Sequence, residues 1–104
     1  MGIAFVIVSH SAKLAEGVVE LAQQMAHDVE FRAAGGTDDG GIGTSFDLIY
    51  TAVEELTAAG HQVALLTDLG SADMTVEAVL ELVDPEVVRF CPGPLVEGAV
   101  SAGV

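Results

Sequence analysis

A chain of 104 residues has material for one hydrophobic core, and with 51% of its residues apolar it is not composed to stay disordered. Its 16 acidic residues against Lys13, Arg32 and Arg89 give a formal net charge of -13, which repels phosphate backbones and anionic lipids and sets nucleic acid and membranes aside as partners. Cys91 is the single cysteine, which excludes an internal disulfide and a zinc site of paired thiolates, and the acidic, lysine-poor composition suits a salt-rich cytoplasm.

Gly2 to Val8 (GIAFVIV) is short, apolar and rich in β-branched residues, the pattern of a parallel strand buried on both faces. It is too short to cross a bilayer, and no basic region precedes it as in a secretion signal, so a cytoplasmic location is expected. From Ala12 the period becomes helical. Leu14, Val18, Leu21, Ala22 and Met25 are predicted on the inward face, Ser11 at the N-cap, and the helix end near His27. Val29 to Ala33 (VEFRA) alternates as a second, less buried strand.

The segment AGGTDDGGIGT, residues 34–44, packs five glycines and two aspartates into eleven positions and reads as a loop. Thr44 with Asp47 resembles a capping box for a helix presenting Phe46, Ile49, Tyr50, Val53 and Leu56 inward, with Gly60 as its stop. Gln62 to Thr67 (QVALLT) reads as a third strand and Asp68-Leu69-Gly70-Ser71 as a turn. Ala72 to Leu82 reads as a helix with Val76, Val79, Leu80 and Val83 inward. Pro85 breaks that helix, Val87 to Phe90 forms a fourth short strand, and Pro94 stands near the start of a last helical segment. The order βαβαβαβ with right-handed crossovers predicts an α/β fold, an open and mainly four-stranded parallel sheet with helices on both faces.

In such a sheet, ligands meet the carboxyl ends of the strands. There stand Ser9, His10 and Ser11 on an exposed turn, then GGTDDGG, then Asp68 to Ser71, then Cys91-Pro92-Gly93. A carboxylate bonded to one imidazole nitrogen fixes the tautomer and leaves the lone pair on the other nitrogen, a nucleophile at neutral pH, so Asp68 can orient His10. Glycine-turn amides and helix N-termini can hold phosphoryl oxygens, and Lys13 is the cation nearest in sequence. The bland alternatives are concrete. A lone histidine at a strand end is more often an ordinary turn residue, Asp68 can simply cap the next helix, and Asp38-Asp39 is a solvated turn more often than a cation site. Cys91 serves as a small buried hydrophobe, and His27 and His61 are expected on the surface. The glycine loop matches neither GxxxxGK[ST] nor GxGxxG, so no nucleotide site is assigned.

The stretches IVSHSAKLAEGV, GGTDDGGIGTS, LLTDLGSA and GPLVEGA together resemble the phosphotransfer subunit of phosphoenolpyruvate-dependent dihydroxyacetone kinase, a relative of the mannose-type enzyme IIA domains. The likeness runs along nearly the whole chain. It implies a phosphotransferase component in which His10 accepts a phosphoryl group at Nε2 from the phosphocarrier protein HPr. That group then passes to ADP on the nucleotide-binding subunit of the kinase. By the same resemblance Asp68 orients His10, and Gly36, Thr37, Gly41, Gly70 and Ser71 frame the phosphoryl group. No permanently held cofactor and no metal site are expected, the phosphoryl group on His10 being the cargo, and positive charge beyond Lys13 would have to come from a partner or a bound metal. The resemblance further implies a homodimer, a donor supplied on a separate chain, and a C-terminal helix that residues 1–104 lack as a single phosphocarrier domain. A response-regulator receiver needs an acidic pair where Ser9-His10 stands. A flavodoxin-like binding or adaptor module, the remaining alternative, wants ring-stacking aromatics that five aromatic residues without tryptophan supply poorly.

Overall fold

The computed structural model describes residues 2–26, 28–37, 39, 41–68 and 70–91, with the backbone alone at 70–73. The elements follow as β1 (Ile3–Ser9), α1 (Ala12–Met25), β2 (Glu30–Gly35), α2 (Phe46–Ala58), β3 (Gln62–Thr67), α3 (Gly70–Leu80) and β4 (Val88–Phe90). The four strands form one parallel sheet in the order β2-β1-β3-β4. The chain therefore leaves β1 in one direction to make β2, then crosses back over β1 to make β3. That reversal puts the switch point between the carboxyl ends of β1 and β3, where an open sheet leaves a crevice.

Strand alternation explains the layering. Phe5 and Ile7 of β1, Phe31 of β2 and Ala64 and Leu66 of β3 pack with Ala15, Val18 and Ala22 of α1 on one face. Ala4, Val6 and Val8, with Val63 and Leu65, face the other way onto Ile49, Val53 and Leu56 of α2 and Val76 and Val79 of α3. Successive residues of a strand point to opposite faces, so central strands under helices on both sides have to be apolar throughout. Phe5 stacks on Phe31 with ring centroids 5.4 Å apart, filling the α1 face between the two strands.

Several boundaries differ from the sequence reading. The second strand runs two residues further, into Gly35, because parallel pairing with β1 continues through Ser9 opposite Gly35. The N-cap of α2 is Ser45, whose hydroxyl accepts from the Leu48 amide at 3.2 Å, whereas Thr44 turns to Thr75 at 2.8 Å. Its C-terminus closes as predicted. Gly60, at φ 93°, donates to Thr57 and His61 donates to Leu56, the paired bonds of a Schellman ending. The third helix spans Gly70–Leu80 rather than 72–82. Cys91 packs partly buried against the α1 side of the core, in keeping with its reading as a small hydrophobe. His61 is partly buried rather than on the surface. His27, Asp38, Leu69 and the predicted last segment from Pro92 lie outside the described residues.

The largest correction concerns α1. Its inward face is Ala15, Val18 and Ala22, while Leu14, Leu21 and Met25 are 43%, 47% and 56% exposed. Small residues win the inward positions because α1 lies close against β1 and β2, and leucine would hold it away. The helix ends at Met25 with Ala26 as its cap, just before the expected place.

Candidate functional site

The site begins with the sheet register. Ile7 pairs with Leu66 on the α1 face, and two residues further on Ser9 and Asp68 come side by side at the carboxyl ends of β1 and β3. The Asp68 amide donates to the Val8 carbonyl at 3.2 Å, which carries the ladder one step past β3. His10 follows directly, its Nδ1 lying 3.0 Å from Asp68 Oδ1. A carboxylate only accepts, so Nδ1 is the protonated nitrogen and the ring lone pair belongs to Nε2. The other carboxylate oxygen, Oδ2, accepts from the His10 amide at 3.0 Å and from the Ser9 hydroxyl at 2.8 Å. The histidine is less exposed than its turn suggested: the side chains of His10 and Asp68 are 18% and 11% exposed.

The serines on either side have different tasks. Ser11 caps α1, its hydroxyl accepting from the Leu14 amide at 3.2 Å. Ser9 is wholly buried. The glycine loop is fastened to the same place, since the Gly36 amide donates to the Ser9 carbonyl at 3.1 Å and the Gly43 amide to the His10 carbonyl at 2.8 Å. Gly35 permits the close approach of α1: a Cβ there would lie 2.5 Å from the Ser11 carbonyl oxygen and 2.7 Å from the Ala15 Cβ. Gly35→Ala therefore has to push the start of α1, and His10 with it, away from β2. The expected result is a loss of about 1–3 kcal/mol in chemical denaturation, with perturbed ring signals of His10 by NMR.

Within the loop, Thr37 donates its hydroxyl to Asp39, and the Gly41 amide donates to Thr37 Oγ1 at 2.9 Å. The Thr37 amide in turn donates to the Gly41 carbonyl at 3.1 Å. The Thr37 hydroxyl and then the Gly41 amide hold the Asp39 carboxyl below its usual range. This clasp is accordingly kept as pH falls through the ordinary carboxylate value and is lost only below it. Asp39 thus closes a turn, as the bland reading had it. Among the described residues no group of three histidine, cysteine, aspartate or glutamate side chains is placed to hold a metal ion.

The profile of the family described as PTS system fructose IIA component matches residues 4–104. The chain belongs to this IIA family. It is 45% identical over 94 residues to the phosphoryl donor subunit DhaM of a PEP-dependent dihydroxyacetone kinase of Listeria innocua, covering 90% of this chain and 73% of that one. The phosphotransferase subunit DhaM of Lactococcus lactis is 44% identical over 99 residues, covering 93% and 76%. The Escherichia coli phosphoryl donor subunit is 44% identical over 106 residues, but this chain spans only 22% of its length. Among solved structures, a protein of unknown function, EF1359, superposes with a TM-score of 0.88 at 28% identity, over 100% of this chain and 85% of that one. The mannose/sorbose-specific IIA subunit of Enterococcus faecalis superposes at 0.65 and 19% identity, over 100% and 77%, a likeness of fold.

In this IIA component the residues singled out in the sequence fall into three groups. His10 and Asp68 are in direct contact, and Gly36, Thr37 and Gly41 lie in the loop fastened to Ser9 and His10. The amides of Gly36, Thr37 and Gly41 already have acceptors in the chain, so these residues shape the rim rather than offering idle donors. Gly70 and Ser71 open α3, where first-turn amides have no acceptor within the helix. Ser9 was passed over in the sequence, although its signal was there: a hydroxyl ending the otherwise apolar stripe Phe5, Ile7. The surroundings are acidic. A cleft of about 460 Å³ beside the loop is lined by Asp39, Thr44, Ser45, Phe46 and Asp47. Of the cations, Arg32 is held by Glu55 at 2.9 Å, away from the site.

Proposed function

We propose that this chain is a phosphohistidine carrier that loads His10 at Nε2 from HPr and delivers the phosphoryl group to ADP on the nucleotide-binding subunit of a dihydroxyacetone kinase. The observation that carries the reading is the 3.0 Å contact between His10 Nδ1 and Asp68 at the switch point of a IIA-family sheet. The reading is supported by the Listeria and Lactococcus relatives, which are named as a phosphoryl donor subunit and a phosphotransferase subunit of dihydroxyacetone kinases.

In the loading step the N–P bond of the donor breaks as a new one forms at Nε2, in line. Nδ1 keeps its proton, so the phosphorylated ring becomes cationic, and the Asp68 carboxylate offsets that charge without any proton leaving the site. Unloading runs the same step backward onto a phosphate oxygen of the acceptor. The first-turn amides of α3, which starts two residues after Asp68, can serve as donors to phosphoryl oxygens. An excess of 16 acidic over 3 basic residues disfavours a free anionic substrate and favours partners that bring their own Arg or Lys to the phosphoryl group. The chain carries the phosphoryl group as its only cargo, with no resident cofactor, and works in the cytoplasm as a homodimer.

The test is reconstitution. Labelled phosphoenolpyruvate, enzyme I and HPr should place an acid-labile, base-stable phosphate on the chain, and adding the nucleotide-binding subunit with ADP should discharge it. A chain that takes no label from loaded HPr refutes the carrier reading. One that loads but never discharges refutes the assignment of ADP.

A further inference from the structure

Ser9 occupies a position where the pattern of its strand demands a hydrophobe. It ends the row Phe5, Ile7 on the α1 face, and it is 0% exposed. A hydroxyl buried that deeply is costly unless it is bonded, so its retention needs a reason beyond packing. Both of its hydrogen-bonding roles are used. Ser9 Oγ accepts from the Ser11 amide at 3.1 Å and donates to Asp68 Oδ2 at 2.8 Å. The Ser11 amide belongs to the N-cap of α1, so one hydroxyl joins the end of β1, the start of α1 and the carboxylate at the end of β3.

We propose that Ser9 is a positioning residue of the phosphoryl relay: through Asp68 it selects the tautomer in which His10 Nε2 is the nucleophile. The Ser9 hydroxyl acts by limiting rotation of the carboxylate. Oδ2 is held by two donors, the Ser9 hydroxyl and the His10 amide, and this leaves Oδ1 turned to Nδ1 of the ring. Without the hydroxyl, Oδ2 loses one of these two donors. The carboxylate plane then swings more freely, and the bond that keeps the proton on Nδ1 weakens. Imidazole on its own favours no such placement, so the fraction of His10 with its lone pair on Nε2 falls. Ser9 does not touch the transferred group; it acts at one remove, as the residues that orient a catalytic ligand do. The proposal rests on His10 as the phosphorylated residue, but its first readout does not require phosphorylation.

That readout is the ¹⁵N spectrum of the His10 ring in the full chain. Wild type should show a protonated, pyrrole-type Nδ1 and a pyridine-type Nε2, and Ser9→Ala should move both nitrogens toward averaged values. Loading from saturating HPr should slow about tenfold with KM for HPr unchanged, the lower end of what loss of an orienting partner costs. Ser9→Thr, which keeps the hydroxyl, should restore both readouts. If Ser9→Ala does not fold, Ser9→Cys, nearly equal in volume and a much weaker donor, should show the same two changes. Wild-type ring shifts and rate in a folded Ser9→Ala or Ser9→Cys protein overturn the proposal, as does a rate loss confined to KM. A wild-type chain that takes no phosphate but shows the ring shifts moving in Ser9→Ala would refute the carrier reading while leaving the positioning role standing.

Discussion

His10→Ala is expected to lose phosphate incorporation from HPr by at least about 10³-fold while remaining folded, because the nucleophile itself is removed. The prediction separates chemistry from stability unusually well at this position. The backbone amide of residue 10 donates to Asp68 Oδ2, and the Ser9 hydroxyl donates to the same oxygen. Both bonds survive truncation to alanine, so the carboxylate keeps two charge-assisted partners, and the stability change should stay within about 1–2 kcal/mol. The loop also keeps its anchor, since Gly43 binds the carbonyl of residue 10 and not the ring. Incorporation is read by labelled phosphate at single turnover, with the acid and base lability of the wild-type label measured alongside. Equal labelling of wild type and His10→Ala would mean that another residue carries the phosphate. Mass spectrometry of the labelled chain then identifies that residue.

The sheet was legible because its determinants are local and redundant. GIAFVIV is apolar throughout and QVALLT holds the unbroken apolar run Val63 to Leu66, as expected of strands covered on both faces, and QVALLT matches the bounds of β3. The pairing of His10 with Asp68 was legible only as one option beside a helix-capping role for Asp68: both residues follow strands, but crossover handedness does not choose neighbours, and it is the order β2-β1-β3-β4 that brings their ends together. What sequence periodicity could not resolve was competition within one face. On α1, where Val18 and Ala22 face inward as expected, Leu14, Leu21 and Met25 and the set Ala15, Val18 and Ala22 both recur at helical spacing, about one residue apart in phase. Hydrophobicity ranks the first set higher. Gly35, at the end of β2, favours the second by letting the start of α1 come so near that Ala15 takes the inward place. The capping of α2 failed in the same way: Thr44 and Ser45 are both good caps, and the choice followed from Thr75 on a distant helix.

The exposed leucines of α1 also bear on how charge and apolar surface are shared out. Ile42, at 80% exposure, lies in the glycine loop fastened to His10, Met74, at 73%, lies in α3, and Leu14 lies in the first turn of α1. A carrier must be gripped twice, by a donor and by an acceptor, and then released. Apolar side chains on an acidic surface suit partners that combine an apolar contact with basic groups, whose salt-sensitive attraction speeds encounter more than it slows departure. On the proposed reading, such a division of labour leaves this chain needing little beyond the oriented histidine.

The orientation makes Asp68→Asn a sharper experiment than Asp68→Ala. Truncation to alanine removes the bond to Nδ1 and leaves the ring to choose its tautomer, so transfer should slow by roughly 10²-fold with the domain still folded. Asparagine is nearly the same shape but has one oxygen and one NH₂ group, and the surroundings decide which goes where. Two donors, the Ser9 hydroxyl and the His10 amide, converge on the Oδ2 position, so the amide oxygen belongs there. The NH₂ group is then directed at His10 Nδ1, which must accept, and the proton moves to Nε2, the nitrogen that has to attack. The variant should therefore hold the wrong tautomer firmly and transfer more slowly than the alanine variant, by roughly 10³- to 10⁴-fold relative to wild type. Single-turnover loading gives the order of rates, and ring ¹⁵N shifts should show Nε2 fully pyrrole-type in Asp68→Asn and averaged nitrogens in Asp68→Ala. An asparagine variant that loads as fast as wild type would remove the tautomer from the mechanism. One that loads faster than alanine while showing protonated Nδ1 would mean that the amide has turned over, and that the two donors at Oδ2 do not govern the orientation of this side chain.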